Sequence, residues 1–219
     1  MNRIFVFVLT VLMFALPAQA EVKIEEVTSP GGIKAWLVQD PSIPFMALEL
    51  RFRGGASLDA PGKRGAVNLM TGLLEEGTGD LDSRGFAKAV DDLAASFGYD
   101  VGDDSLSVSA RFLSENRDDA IALLHGSIIA PTFGQEDIDR VREQVLTGLR
   151  SNTTDPNEIA RQAWDTMAYG AHPYGSDYAG TIDSVTALNR DDIVAAHAAV
   201  MARDRLYVCL LYTSPSPRD

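Results

Sequence analysis

Two short stretches rich in β-favouring residues, 22–28 and 33–39, flank Ser29-Pro-Gly-Gly32 and predict two strands joined by a turn. A longer run of the same character, 45–52, predicts a third strand. The period then changes: apolar residues recur at helical spacing over 65–75 and again over 83–96, the second opened by Asp82 or Ser83 as a cap. Alternation returns at 105–112, where Leu106, Val108 and Ala110 interleave with Ser105, Ser107 and Ser109, and with 99–102 it predicts a hairpin. Helical spacing resumes at 115–129, 135–150, 157–167 and 191–202. Strands and helices in separate runs predict an α+β fold, an antiparallel-rich sheet with helices packed on it, rather than a doubly wound sheet. The length suits one domain with an adequate core, and no internal repeat is visible.

The beginning of the chain has a different character. Arg3, an apolar run over 4–16 and Pro17-Ala-Gln-Ala20 predict a secretory signal over residues 1–20 with cleavage after Ala20. That run is shorter than the ~20 apolar residues needed to span a bilayer, so a secreted protein with no membrane span is expected, located in the periplasm of a bacterium. The charge balance is acidic, 19 Lys and Arg against 31 Asp and Glu, a net −12. Such a balance disfavours nucleic acid and anionic membranes as partners; it suits a solvated surface, or a basic peptide ligand.

Candidate chemistry is concentrated in Gly65-Ala-Val-Asn-Leu-Met-Thr-Gly-Leu-Leu-Glu-Glu-Gly-Thr78. This segment resembles G-x-A-H-x-x-E-H-x-x-x-x-G-T, the inverted zinc motif of the insulinase, pitrilysin and mitochondrial processing peptidase family. The resemblance extends over most of residues 22–208: Arg51-Phe-Arg-Gly-Gly55 is similar to the turn before the zinc helix, and His172-Pro-Tyr-Gly175, Gly180-Thr181, Ser184-Val185 and Arg190-Asp-Asp-Ile193 to a later family segment. It implies the first repeat of the insulinase-like fold over 21–208. It also implies that the two histidines fall on Asn68 and Gly72 and the general-base glutamate on Thr71. The pattern around Asp137-Ile-Asp-Arg-Val-Arg-Glu-Gln-Val145 puts the remaining glutamate ligand on Gly148. Zinc held on a helix needs imidazoles at i and i+4, which share one face, with a carboxylate beside them to take a proton from the bound water. An amide, a hydroxyl and two glycines supply none of this. The degenerate positions Asn68, Thr71, Gly72 and Gly148 therefore predict a chain with no catalytic residue, no metal and no cofactor of its own.

Residues 209–219, Cys209-Leu-Leu-Tyr-Thr-Ser-Pro-Ser-Pro-Arg-Asp219, resemble no part of the family and read as a translated sequencing adapter, so the natural product is expected to continue past Val208 with other residues. Cys209 is the single cysteine, which leaves no disulfide or cysteine metal site to expect. Without Arg3, Arg218 and Asp219 the balance becomes 17 against 30, a net −13.

Other candidates have ordinary readings. His125, His172 and His197 lack an i,i+4 partner and read as packing or surface residues. Glu75 and Glu76 read as a solvated pair near a helix end, and Asp103-Asp104 and Asp118-Asp119 as a turn and a helix start. The glycines lack the context of a phosphate-binding loop. Some bacterial members of the resembled family work as two-chain peptidases, one chain holding zinc and the other walling the chamber. That resemblance implies a non-catalytic partner of an intact H-x-x-E-H chain, with a peptide as the shared substrate. A stand-alone peptide-binding or assembly protein is the alternative, followed by an enzyme with a rearranged metal site.

Overall fold

The computed structural model describes residues 23–40 and 44–212. The expected signal segment and residues 213–219 lie outside the described residues. Strands β1 (Ile24–Thr28), β2 (Lys34–Gln39) and β3 (Phe45–Arg53) come first. They are followed by helix α1 (Ala66–Gly72), the two-residue strands β4 (Gly77–Thr78) and β5 (Leu81–Asp82), and α2 (Ser83–Asp92). Strands β6 (Ser96–Val101) and β7 (Ser105–Leu113) form the expected hairpin. Helices α3 (Arg117–Ile129), α4 (Gln135–Asn152), α5 (Pro156–Tyr169), α6 (Ile182–Thr186) and α7 (Arg190–Val200) precede a last strand, β8 (Leu206–Tyr212).

Six strands make one sheet in the order β1-β2-β8-β3-β7-β6, antiparallel throughout except where β2 lies parallel to β8. The fold is thus α+β with an antiparallel-rich sheet. Its register follows from the period-two pattern: Leu106, Val108, Ala110 and Phe112 of β7 are buried on one face, and β3 sets Met46, Leu48, Leu50 and Phe52 directly opposite them. Slipping by one residue would move this whole set to the other face. Burial of each of the larger side chains stabilises the fold by ~1.5–3 kcal/mol relative to exposure.

Helix α1 lies inside this core. Val67, Leu69, Met70, Leu73 and Leu74 are at most 1% exposed, so the helix and the turn after it are apolar nearly all round, the pattern of a buried element. Beyond Gly72 the backbone tightens to bonds three residues back, Leu73 to Met70 and Leu74 to Thr71, so the helix ends three residues before the expected residue 75.

Helix α2 corrects the expectation more strongly. It stops at Asp92, not at residue 96, because Ala94 turns into the left-handed region at φ 48° and Ala95 donates to the Val90 carbonyl, which frees Ser96 to pair with Arg111. An alanine in that conformation gives no glycine-like stop signal in the sequence. The cap of α2 is as expected, with Asp82 accepting from Gly85 N. Strand β8 crosses the boundary expected at Val208, with Cys209 opposite both Trp36 and Glu49 in mid-sheet.

Candidate functional site

Helix α1 starts from a fixed anchor. Asp59, with its side chain 4% exposed, accepts from Gly65 N and Val67 N, both at 2.8 Å, and so occupies the unpaired donors of the helix N-terminus. Burial pushes its carboxyl above the usual range, against the downward pull of these N–H groups and of Arg64. Arg64 fans outward from the same point. It donates to Ala56 O, Asp177 O, Pro173 O and Ser176 O and pairs with Asp103 at 2.6 Å, tying the His172–Gly175 segment and the β6–β7 turn to the start of α1.

From that anchor α1 carries Asn68, Thr71 and Gly72, while Gly148 lies on α4. Asn68 and Gly72 are half-buried, and every other residue of α1 is buried, so the i,i+4 pair marks the one partly open face of the helix. Thr71, at the base position, is 4% exposed, and its hydroxyl donates to Val67 O at 2.8 Å within the same helix. Gly72 lies against α4: a Cβ at this position would sit 3.1 Å from Val141 Cγ1. Gly148 is seven residues from Val141, two turns on along the same face of α4, about 10 Å farther along the axis. A Cβ there would meet nothing within 4 Å.

The surroundings of α1 are polar but structural. Glu76 is not a solvated carboxylate: both its oxygens accept from Arg140, at 2.9 and 2.6 Å, and Arg140 also pairs with Asp137, so the end of α1 is clamped to the first turns of α4. Glu75 points to solvent, and partial burial with the charge of Glu76 pushes its carboxyl upward. Tyr99 of β6 shares a 2.6 Å hydrogen bond with Ser127 of α3, and its phenol is pushed up to about 12 by burial, with a smaller contribution from Glu75.

The histidines are placed apart. His125 is exposed on α3. His172 accepts from Tyr174 N at 3.2 Å and packs edge-on against that ring. His197 of α7 meets Ile128 O at 2.7 Å and packs edge-on against Phe133. Asp103 and Asp104 do form the expected turn, with partners in addition, Arg64 and the hydroxyl of Tyr174. Asp118 and Asp119 open α3.

Zinc requires three or four deprotonated nitrogen, sulfur or oxygen donors at one point. Helix α1 offers an amide, a hydroxyl already donating to backbone and, at Gly72, no side chain; Gly148 of α4 offers none either. Among the described residues no three of His, Cys, Asp and Glu converge to hold a metal ion. The family's zinc does not fit this chain. Sequence reading missed Asp59, Arg64 and the Glu76–Arg140 clamp, since none belongs to a chemical motif; each is recognisable only from the contacts it makes.

One apolar helix buried between a six-stranded sheet and the helices α4 and α7, with no ligand side chains on its i,i+4 face, defines the class: a peptidase-like domain with a degenerate metal helix. Residues 34–182 match the insulinase family, peptidase family M16, and the chain belongs to that family. It is 29% identical over 168 residues to the non-peptidase homolog YmxG of Helicobacter pylori, covering 77% of this chain and 39% of that protein. It is 21% identical over 151 residues to an uncharacterized zinc protease of Rickettsia bellii, covering 69% and 37%. Among solved structures, the inactive domain of a peptidase M16 from Pseudomonas fluorescens superposes with a TM-score of 0.83 at 26% identity, over 87% of this chain and 46% of that one. The chain thus spans about two fifths of the length of these curated relatives.

Proposed function

We propose that this chain is a non-catalytic member of the insulinase family that joins an intact H-x-x-E-H chain outside the cytoplasm and helps it degrade peptides. The observation that carries the reading is Thr71: where the family chemistry needs a solvent-reaching carboxylate, a buried hydroxyl is bonded to its own helix. The names of two relatives, a non-peptidase homolog and an inactive domain, support a non-catalytic role. The leader-like residues 1–20 support export.

The part this domain would play is to hold substrate. Among the described residues strand β6 pairs with β7 on one side only, so alternate N–H and C=O groups along its outer edge would serve an added strand. An extended peptide bound there would be positioned for a metal centre on the partner, and positioning alone can contribute several kcal/mol to a rate.

The test is to measure hydrolysis of an unstructured peptide by the full-length protein, by a family member with intact H-x-x-E-H from the same genome, and by their mixture. The mixture should exceed the sum of the two. Equal activity of the partner alone and of the mixture would rule out the partnership and leave peptide binding or assembly without a peptidase as the better reading.

A further inference from the structure

Helix α5 is mounted with its polar side inward. No residue of α5 is buried, and its half-buried positions are the polar ones, Glu158, Gln162 and Asp165. That side is fastened by hydrogen bonds: Gln162 and Thr166 donate to Gly175 O, and Arg161 pairs with Asp177 at 2.9 Å. The apolar residues Ile159, Ala163 and Met167, spaced i, i+4, i+8, face outward, and Trp164 stands beside Met167 at i,i+3. Ile159, Trp164 and Met167 are 51%, 62% and 75% exposed. Ile159, Ala163 and Met167, with Leu149 of α4 and Ile182 of α6, border an open groove of about 950 Å³. An amphipathic helix normally turns its apolar stripe to the core, and an exposed apolar surface of this kind marks an interaction site.

Two features specify the occupant. Most of the walls are helical, from α4, α5 and α6, with the loop residues Ser176, Asp177, Gly180 and Thr181 closing one side; no strand lines the groove, and a groove of this type accepts a helix through i, i+3, i+4 anchors. The second is charge. Of the residues that line the groove, Glu158, Asp177 and Asp183 are carboxylates and Arg161 is the one cation, already paired with Glu158 and Asp177. The rim is therefore acidic, and it repels a second copy of itself while favouring a basic partner.

We infer that the α5 groove is a docking site for an amphipathic helix of another protein, with an apolar stripe flanked by lysine or arginine. This surface is separate from the β6 edge, and its test does not depend on the peptide-holding role proposed above.

The probes are two synthetic peptides of ~18 residues, five helical turns, each with leucines at i, i+4 spacing, one flanked by lysines and one by glutamates. Binding to the full-length protein is measured by fluorescence anisotropy at two salt concentrations. The lysine peptide should bind at least about tenfold more tightly than the glutamate peptide, ~1.4 kcal/mol, and less tightly at high salt. Met167→Glu and Ile159→Glu, both at exposed positions and checked for unchanged circular dichroism, should weaken the lysine peptide at least about tenfold. This separates groove binding from general attraction to an acidic protein, since an added carboxylate would strengthen the latter. Unchanged or tighter binding to these variants overturns the inference, as does equal binding of the two peptides. Self-association of the unsubstituted chain that Met167→Glu abolishes would make a second copy the occupant and also overturn it.

Discussion

Gly65 and Gly180 face each other across the start of α1: a Cβ on Gly65 would lie 2.5 Å from Ala179 O, and one on Gly180 would lie 2.5 Å from Arg64 O. Both adopt positive φ, 94° and 91°. Ser184 closes the junction by donating to Arg64 O at 2.8 Å. Two glycines 115 positions apart in the chain are therefore one contact, which joins the turn before α1 to the turn before α6.

Gly65→Ala and Gly180→Ala should each destabilise the fold by more than the ~1–2 kcal/mol of a left-handed alanine, because a backbone clash adds to it. Gly79→Ala, at φ 57° with nothing within 4 Å, isolates the conformational part. Urea unfolding of the three variants checks this; equal losses would show that the Gly65–Gly180 contact is loose.

Rebuilding a histidine at position 72 should cost stability. A Cβ 3.1 Å from Val141 Cγ1 requires Val141 to give by a few tenths of an ångström, and the imidazole beyond that Cβ adds bulk against a buried helix, overpacking of a kind that costs ~1–3 kcal/mol. Gly72→His should unfold at lower urea than the parent, and adding Val141→Ala should recover part of the loss beyond what Val141→Ala does alone. Additive losses in this double-mutant cycle would show that the two positions do not meet.

Glu75 gives a pH prediction. Its folded carboxyl is raised above the ordinary value of 4.5 by partial burial and by Glu76. Below 4.5 both folded and unfolded chains hold the proton and the group has no effect; as pH rises through the folded value the folded chain bears a charge it disfavours, and stability is lost. Glu75→Gln should therefore raise stability at neutral pH, by well under ~1 kcal/mol because solvent screens an exposed group. The gain should vanish below 4.5. A gain that grows on acidification would assign the sign wrongly.

Much of this was legible in the residues. The serine alternation of β7 gave its buried face, because a two-residue period has one reading on a half-buried sheet. The frame of Gly65 to Thr78 located the candidate site, and the half-open positions Asn68 and Gly72 fall on the face that the motif spacing required. What was not legible depended on tertiary contact. Ala94 ends α2 because β6 must reach β7, and Glu76 left the solvated class only through Arg140, 64 residues away. The helix expected over 157–167 forms as α5, one residue longer at its start and two at its end, but which side faces inward was set by tertiary contact: the bonds of Gln162 and Thr166 to Gly175 leave Ile159, Trp164 and Met167 exposed.

On the function proposed above, this member of the insulinase family carries no metal chemistry of its own. The most direct measurement is the zinc content of the full-length protein after equilibration with zinc and removal of the free ion, alongside hydrolysis of an unstructured peptide by the same sample. Positions that supply no metal-binding atom give zinc no source of binding free energy. The expected result is substoichiometric zinc and no hydrolysis. One tightly held zinc per chain, with hydrolysis that a chelator abolishes, would contradict the account.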